Sequence, residues 1–280
     1  MHEPYFSLLR KNTYRAKTFH NNEDHRFMKL HCQILGKGRP LVILHGLFGS
    51  LDNWRSIAKE LSKTAQVITV DLRNHGLSPH SSEQTYPSMA ADLAELCDDL
   101  SLNNIDLIGH SVGGKVAMAF SHYYPNRINK LIVLDIAPKQ YQAEHHAIFD
   151  GLLAIDLEQY KKRSDVDTVL AKSLPDKAVR QFLLMNLVLN NSRLEWRVNL
   201  QALADNYPQL LTAVCLDRKL SLPTLFICGA KSNYILASDT SLIHHHFLNA
   251  EIVTMNTGHW VHAESPVVFM TKVREFLGDD

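Results

Sequence analysis

Residues Gly109-His110-Ser111-Val112-Gly113 follow the apolar run Ile105-Asp106-Leu107-Ile108 and precede the helix-like stretch Lys115–Phe120. Gly-x-Ser-x-Gly between a strand and a helix is a nucleophile elbow. The turn is too tight for neighbouring side chains, so glycine flanks it on either side. It lifts the serine oxygen above the sheet and sets it at a helix N-terminus, where the amide dipoles favour developing negative charge. The same five residues also suit a plain glycine-rich turn capped by serine, a common N-cap. Three other stretches decide between these readings.

A reactive serine needs a base. Gly258-His259-Trp260 follows the strand-like Glu251–Met255, and an imidazole with a pKa near 6.5 can take and return a proton at neutral pH. The chain holds 16 histidines, so position must single one out, and the order Ser…Asp…His selects His259. His262 is a weaker alternative, and His110 is read as packing the elbow. His244-His245-His246 cannot all face one ion from a helix, so they read as an exposed segment and no metal site is expected. The base needs a carboxylate to orient it. The loop Gly229-Ala-Lys-Ser-Asn-Tyr234 offers none. Asp239 follows on the next helix, and Asp135 ends the run Leu131–Leu134. Ligands bind outside the carboxyl ends of parallel strands, which favours Asp135 and keeps Asp239 as the alternative acid. The oxyanion needs two amide donors. Val112 supplies one, and Leu47, in the loop His45-Gly-Leu-Phe-Gly49 after Pro40–Leu44, supplies the other, with Phe48 possible in its place.

The segments His45-Gly-Leu-Phe-Gly-Ser50, Asp71-Leu-Arg-Asn-His-Gly-Leu-Ser78, Gly109-His-Ser-Val-Gly-Gly-Lys115, Asp135-Ile-Ala-Pro138, Trp196-Arg-Val-Asn-Leu200 and Gly258-His-Trp-Val-His-Ala-Glu264 resemble the α/β-hydrolase superfamily, and within it the small YbfF-type esterases. The resemblance runs over nearly the whole chain from Met28. It implies a serine hydrolase that cleaves short acyl esters or acyl-CoA thioesters through Ser111, His259 and Asp135 and an acyl-enzyme. Asn74 stands where the commoner pattern of the superfamily has glycine. A lyase or C–C hydrolase on the same scaffold, or a non-catalytic binding protein, is the alternative.

These residues need a frame. Strand-like runs lie near 28–35, 40–45, 66–71, 105–109, 130–135, 223–228 and 250–255, with helical patterns near 53–62, 86–101, 112–124, 238–247 and 265–277. Such alternation predicts an α/β fold with a mostly parallel central sheet and helices on both faces. Residues 28–138 and 219–280 form the expected core. The interval 139–218 shows helical stretches at 143–154, 166–172 and 176–189 and no strand, and it reads as an inserted helical cap. Phe149, Leu152, Leu153, Phe182, Leu183, Met185 and Leu187 would line an acyl pocket there, or simply be core. Trp196 and Arg197 sit near the cleft or serve packing and a surface ion pair. Asp71 and Arg73 are expected in one structural network. Lys115 is read as structural.

Composition narrows the partners. There are 29 basic and 29 acidic residues, which argues against nucleic acid or an anionic membrane as a ligand. No apolar run approaches the roughly 18 residues of a membrane span. The four cysteines are scattered without ligand spacing, which suits reduced thiols in the cytoplasm. A small-molecule acyl ester or acyl-CoA partner, no cofactor, and a monomer or homodimer are expected. Residues 1–27 show little periodicity and no signal-peptide core. They read as an N-terminal extension without catalytic role, Met28 being an alternative translation start.

Overall fold

The computed structural model describes residues 28–214 and 216–278; the reading of residues 1–27 falls outside them. Seven strands form the main sheet: β1 (Cys32–Leu35), β2 (Pro40–Leu44), β3 (Gln66–Val70), β4 (Ile105–His110), β5 (Ile128–Leu134), β8 (Thr224–Gly229) and β9 (Ala250–Met255), with the hairpin β6 (Leu187–Asn190) and β7 (Arg193–Trp196) apart from it. The main sheet is ordered β1-β3-β2-β4-β5-β8-β9. All its neighbours pair in parallel except the edge strand β1, which runs antiparallel to β3. β1 starts at Cys32, not Met28, because the preceding backbone turns to other partners: Asp71 N donates to His31 O at 2.9 Å and His31 N to Ser78 Oγ at 2.8 Å.

Helices α1 (Arg55–Leu61), α2 (Tyr86–Asp99), α3 (Val112–Tyr123), α9 (Thr240–His246), α10 (Val261–Glu264) and α11 (Pro266–Leu277) connect and flank these strands. Side chains alternate across a strand. Val42, Leu44, Leu107, Leu131, Val133 and Phe226 therefore pack on one face with Leu93 of α2, Phe120 of α3 and Ile243 of α9. Leu41, Ile43, Ile108, Ile132, Leu134 and Ile227 pack on the other with Leu61 of α1 and Phe269 and Val273 of α11. Both faces are covered, which is why these strands read as continuous apolar runs.

The interval between β5 and β8 contains α4 (His146–Leu153), α5 (Arg163–Leu170), α6 (Lys177–Leu184), α7 (Leu200–Asp205) and α8 (Tyr207–Leu211). It also contains the β6–β7 hairpin, which corrects the expectation of an all-helical stretch. The apolar run through Leu189 is not one helix: α6 ends at Leu184, and the chain turns at Asn191 (φ 45°) and Ser192 (φ 65°). Two left-handed central residues are what a two-residue hairpin turn requires. Phe149, Leu152, Val166, Leu170, Leu183, Leu187 and Leu203 form a separate apolar cluster that includes Phe48 of the sheet-side loop. Among the described residues no helix is long and apolar enough to cross a membrane.

Candidate active site

The register aligns the carboxyl ends of the central strands: Leu44 with Gly109, His110 with Leu134, Leu134 with Ile227, and Gly229 with Met255. The candidate residues leave the sheet directly beyond these pairs. Ser111 N donates to Leu134 O at 3.0 Å, and Asp135 N to Ile227 O at 2.8 Å. The ladder therefore fixes both residues by one further rung.

Ser111 is the N-cap of α3, with φ 52° and ψ −118°, a strained conformation for an L-residue. The flanking glycines have a steric reason. A Cβ on Gly113 would lie 2.4 Å from His45 O, and one on Gly109 2.3 Å from Gly113 O. The Leu47 and Val112 amides have no hydrogen-bond partner among the described residues. Val112 opens α3, where the first N–H groups are left free. Phe48, at φ 59°, donates its N–H to His75 Nε2 at 3.2 Å. That commits the Phe48 amide, while the Leu47 amide stays without a partner among the described residues.

Asp135 is fully buried and turns off β5 at φ 48°. It accepts from Gly229 N at 3.0 Å, from Ser232 Oγ, and from His259 Nδ1 at 2.7 Å. Asp239 faces elsewhere: it pairs with Lys139 Nζ at 2.5 Å and accepts from Leu236 N at 2.8 Å. The His259 ring stacks on Tyr234 at 4.1 Å and 21°. Its loop is clamped by Glu264, which accepts from Gly258 N at 2.7 Å and Trp260 N at 3.3 Å. With Nδ1 committed to Asp135, Nε2 is left without a partner among the described residues, Ser111 included. Nucleophile–base bonds of this kind often tighten only with substrate.

Other histidines crowd the site as neutral groups. Burial lowers His262 to about 3 and pushes His110 well below its usual value. His262 stacks on Trp54 at 4.2 Å, and His110 Nε2 meets His259 O at 3.0 Å. Burial takes His45 to about 4 and His75 to about 3. His45 Nδ1 donates to Gly46 O at 2.8 Å while Nε2 accepts from Leu72 N at 3.0 Å. His75 Nδ1 donates to Arg73 O at 2.9 Å. This pair staples the loop after β2 to the loop after β3 and so sets where the Leu47 amide points.

The expected Asp71–Arg73 network divides into two. Arg73 forms a buried two-pronged pair with Asp92 at 2.6 and 2.7 Å, while Asp71 accepts from Leu51 N at 2.8 Å and Leu77 N at 2.9 Å. Arg73 spans to a carboxylate on α2, which sequence spacing does not announce. Trp196 packs on the cluster between β5 and β8, and Arg197 reaches Asp52 at 3.5 Å. His244 and His245 are exposed in the last turn of α9.

A cavity of about 800 Å³ opens over the elbow, lined by Ser111, His259, Leu47 and Val112. From the interval above, Phe182, Leu183 and Met185 also line it. Phe149, Leu152 and Leu187 are packed inside their own cluster instead, and Leu153 is 43 % exposed. Sequence reasoning missed Ser232, Tyr234 and Glu264. A hydroxyl in the loop that lacks a carboxylate, and a glutamate a few residues beyond Gly258, were the available signals.

Residues 39–266 match the family model of the alpha/beta hydrolase fold. The chain is 37% identical to the esterase YbfF of Escherichia coli (strain K12) over 86% of this chain and 93% of that protein. It is 38% identical to an sn-1-specific diacylglycerol lipase of Danio rerio over 86% of this chain and 79% of that one. A solved marine microorganism esterase superposes with a TM-score of 0.87 at 39% identity, covering 89% of this chain and 99% of its own.

Proposed function

The chain belongs to the alpha/beta hydrolase fold family, among its esterase and lipase relatives, and on that premise we propose that it hydrolyses short acyl esters or acyl-CoA thioesters with Ser111 as nucleophile, His259 as base and Asp135 as the orienting acid. The observation that carries this reading is the 2.7 Å bond from His259 Nδ1 to the buried Asp135 carboxylate. That bond fixes the tautomer and leaves Nε2 as the proton acceptor on the wall that Ser111 shares.

Ser111 Oγ attacks the acyl carbonyl while Nε2 takes its proton. Asp135 steadies the imidazolium and stays ionised. Gly229 N, Ser232 Oγ and His259 Nδ1 all donate to the Asp135 carboxylate and fix its position. The oxyanion draws on the free Leu47 and Val112 amides, donors that need no reorganisation when charge develops. The imidazolium then protonates the departing alcohol or thiol. Water repeats the sequence: His259 removes its proton, the acyl–Oγ bond breaks, and Ser111 regains its hydrogen.

The test is turnover of p-nitrophenyl butyrate with rapid mixing. A burst of one p-nitrophenol per chain is expected from the wild type, with none from Ser111→Ala at unchanged circular dichroism. Turnover that survives in Ser111→Ala refutes the nucleophile. Wild-type protein that turns over neither esters nor acyl-CoA refutes the hydrolase assignment and favours a binding role or carbon–carbon chemistry.

A further inference from the structure

Lys115 is a buried titratable group for which the mechanism above has no use. It lies one turn beyond the nucleophile: Lys115 N donates to Ser111 O at 3.1 Å. Residues four apart share a helix face, and Lys115 and Ser111 both line the cavity. Lys115 is nevertheless only 1% exposed.

An ammonium has three N–H donors. Nζ gives one to Thr212 O at 2.6 Å and otherwise sits over the rings of Tyr141 at 4.8 Å and Tyr86 at 5.4 Å. The two phenols are committed: Tyr86 OH donates to Leu210 O at 2.6 Å, and Tyr141 OH donates to Tyr234 O at 2.6 Å and accepts from Ala137 N at 2.8 Å. They offer faces, not oxygens. Among the described residues no carboxylate pairs with Lys115, and Lys139, the neighbouring cation, holds Asp239 for itself. A buried ammonium without a counter-ion is costly. A neutral donor would anchor Thr212 O more cheaply.

We infer that Lys115 forms an anion subsite in the cavity and selects substrates carrying a carboxylate on the acyl or the alcohol limb, an inference that rests on the ester-hydrolase reading. Ser111 and Lys115 line the same cavity, so the carboxylate and the scissile carbonyl belong to one small molecule. Burial, then the neighbouring Lys139, brings the ammonium down to about 7. Burial raises both phenols, so they remain neutral through pH 9. Lys139 pairs with Asp239 at 2.5 Å. Lys115 therefore changes charge between pH 6 and pH 9, and a bound carboxylate favours its charged form.

The experiment compares kcat/KM within matched pairs on the same enzyme, which cancels groups that act on both partners. On the acyl limb, mono-p-nitrophenyl succinate is set against p-nitrophenyl butyrate; on the alcohol limb, the butyryl ester of glycolate against ethyl butyrate. One pair should show a ratio above about 10 at pH 6, the size of a charge-assisted hydrogen bond. That ratio should fall at least about fivefold by pH 9, and at least about tenfold in Lys115→Met. Ratios below that mark in both pairs, or a ratio that Lys115→Met leaves in place, overturn the subsite. If Lys115→Met does not fold, the wild-type ratio and its pH dependence decide. Calorimetry on Ser111→Ala separates the two readings. Binding of monomethyl succinate but not methyl butyrate, in a protein whose wild type cleaves no ester, keeps the subsite and sinks the hydrolase. Absence of that binding sinks the subsite.

Discussion

The strand ends and the interval between β5 and β8 wall the same cavity under different constraints. At the strand ends each position is set by backbone: Ser111 and Asp135 each extend the parallel ladder by one rung, Gly113 leaves room for His45 O, and His45 and His75 staple two loops. A change there moves an atom of the proposed triad or oxyanion site. In the interval above, the cavity wall is built from Phe182, Leu183 and Met185 on one amphipathic helix and the segment beyond it. Apolar bulk there excludes water and shapes the pocket, and several side chains of similar volume would do the same. Chemistry should therefore be intolerant of substitution on the sheet side and tolerant on the other.

The largest effect expected is at Ser111. Ser111→Ala should lower kcat on p-nitrophenyl butyrate by about 10⁵ or more, the scale of a lost triad nucleophile. Asp135→Asn should cost about 10³–10⁴ in kcat because the wrong tautomer of His259 is stabilised. Asp239→Asn should stay within about twofold in kcat, since Asp239 bonds Lys139 and the Leu236 amide and not His259. The reverse order would move the acid off β5 and blur the contrast between the two regions.

Acid should loosen the sheet-side loops first. Burial holds His45 at about 4 and His75 at about 3 when folded, below the unfolded value near 6.5. The folded state thus binds fewer protons. The stability these two contribute is present above pH 6.5 and is lost as pH falls from there toward the folded values. At pH 5 the loss is on the order of 2 kcal/mol per histidine. The urea midpoint should drop between pH 8 and pH 5, and drop less in His75→Gln. A midpoint that does not move would show that these imidazoles are not the buried neutral staples described. On the opposite wall, Phe182→Ala should raise KM for a hexanoyl ester by roughly tenfold or less, the worth of lost apolar contact in a pocket, with kcat nearly kept. A collapse of kcat would mean that α6 positions the chemistry.

The layered architecture was readable because burial on both faces writes itself as apolar runs of strand length, and Leu41–Leu44 and Leu131–Leu134 lie on the central strands. The elbow was readable because close backbone approach demands glycine at 109 and 113. The hairpin over 187–196 was not. Its first strand continues the apolar pattern of α6, and its turn uses Asn191-Ser192 without a glycine. Which of the Leu47 and Phe48 amides is left free was also closed to the sequence, since it depends on which amide His75 accepts from across a gap of 27 residues. Ser232 escaped for a similar reason: one hydroxyl in a polar loop gains meaning only once Gly229 is set beside Asp135.

The central claim, that one hydroxyl is made nucleophilic by His259, is tested most directly by labelling with a fluorophosphonate probe and mapping the adduct by mass spectrometry. One adduct per chain on the peptide containing Ser111, formed at least about 10³-fold more slowly in His259→Ala, is the result expected. Labelling at another residue, or at an undiminished rate without the imidazole, would contradict it.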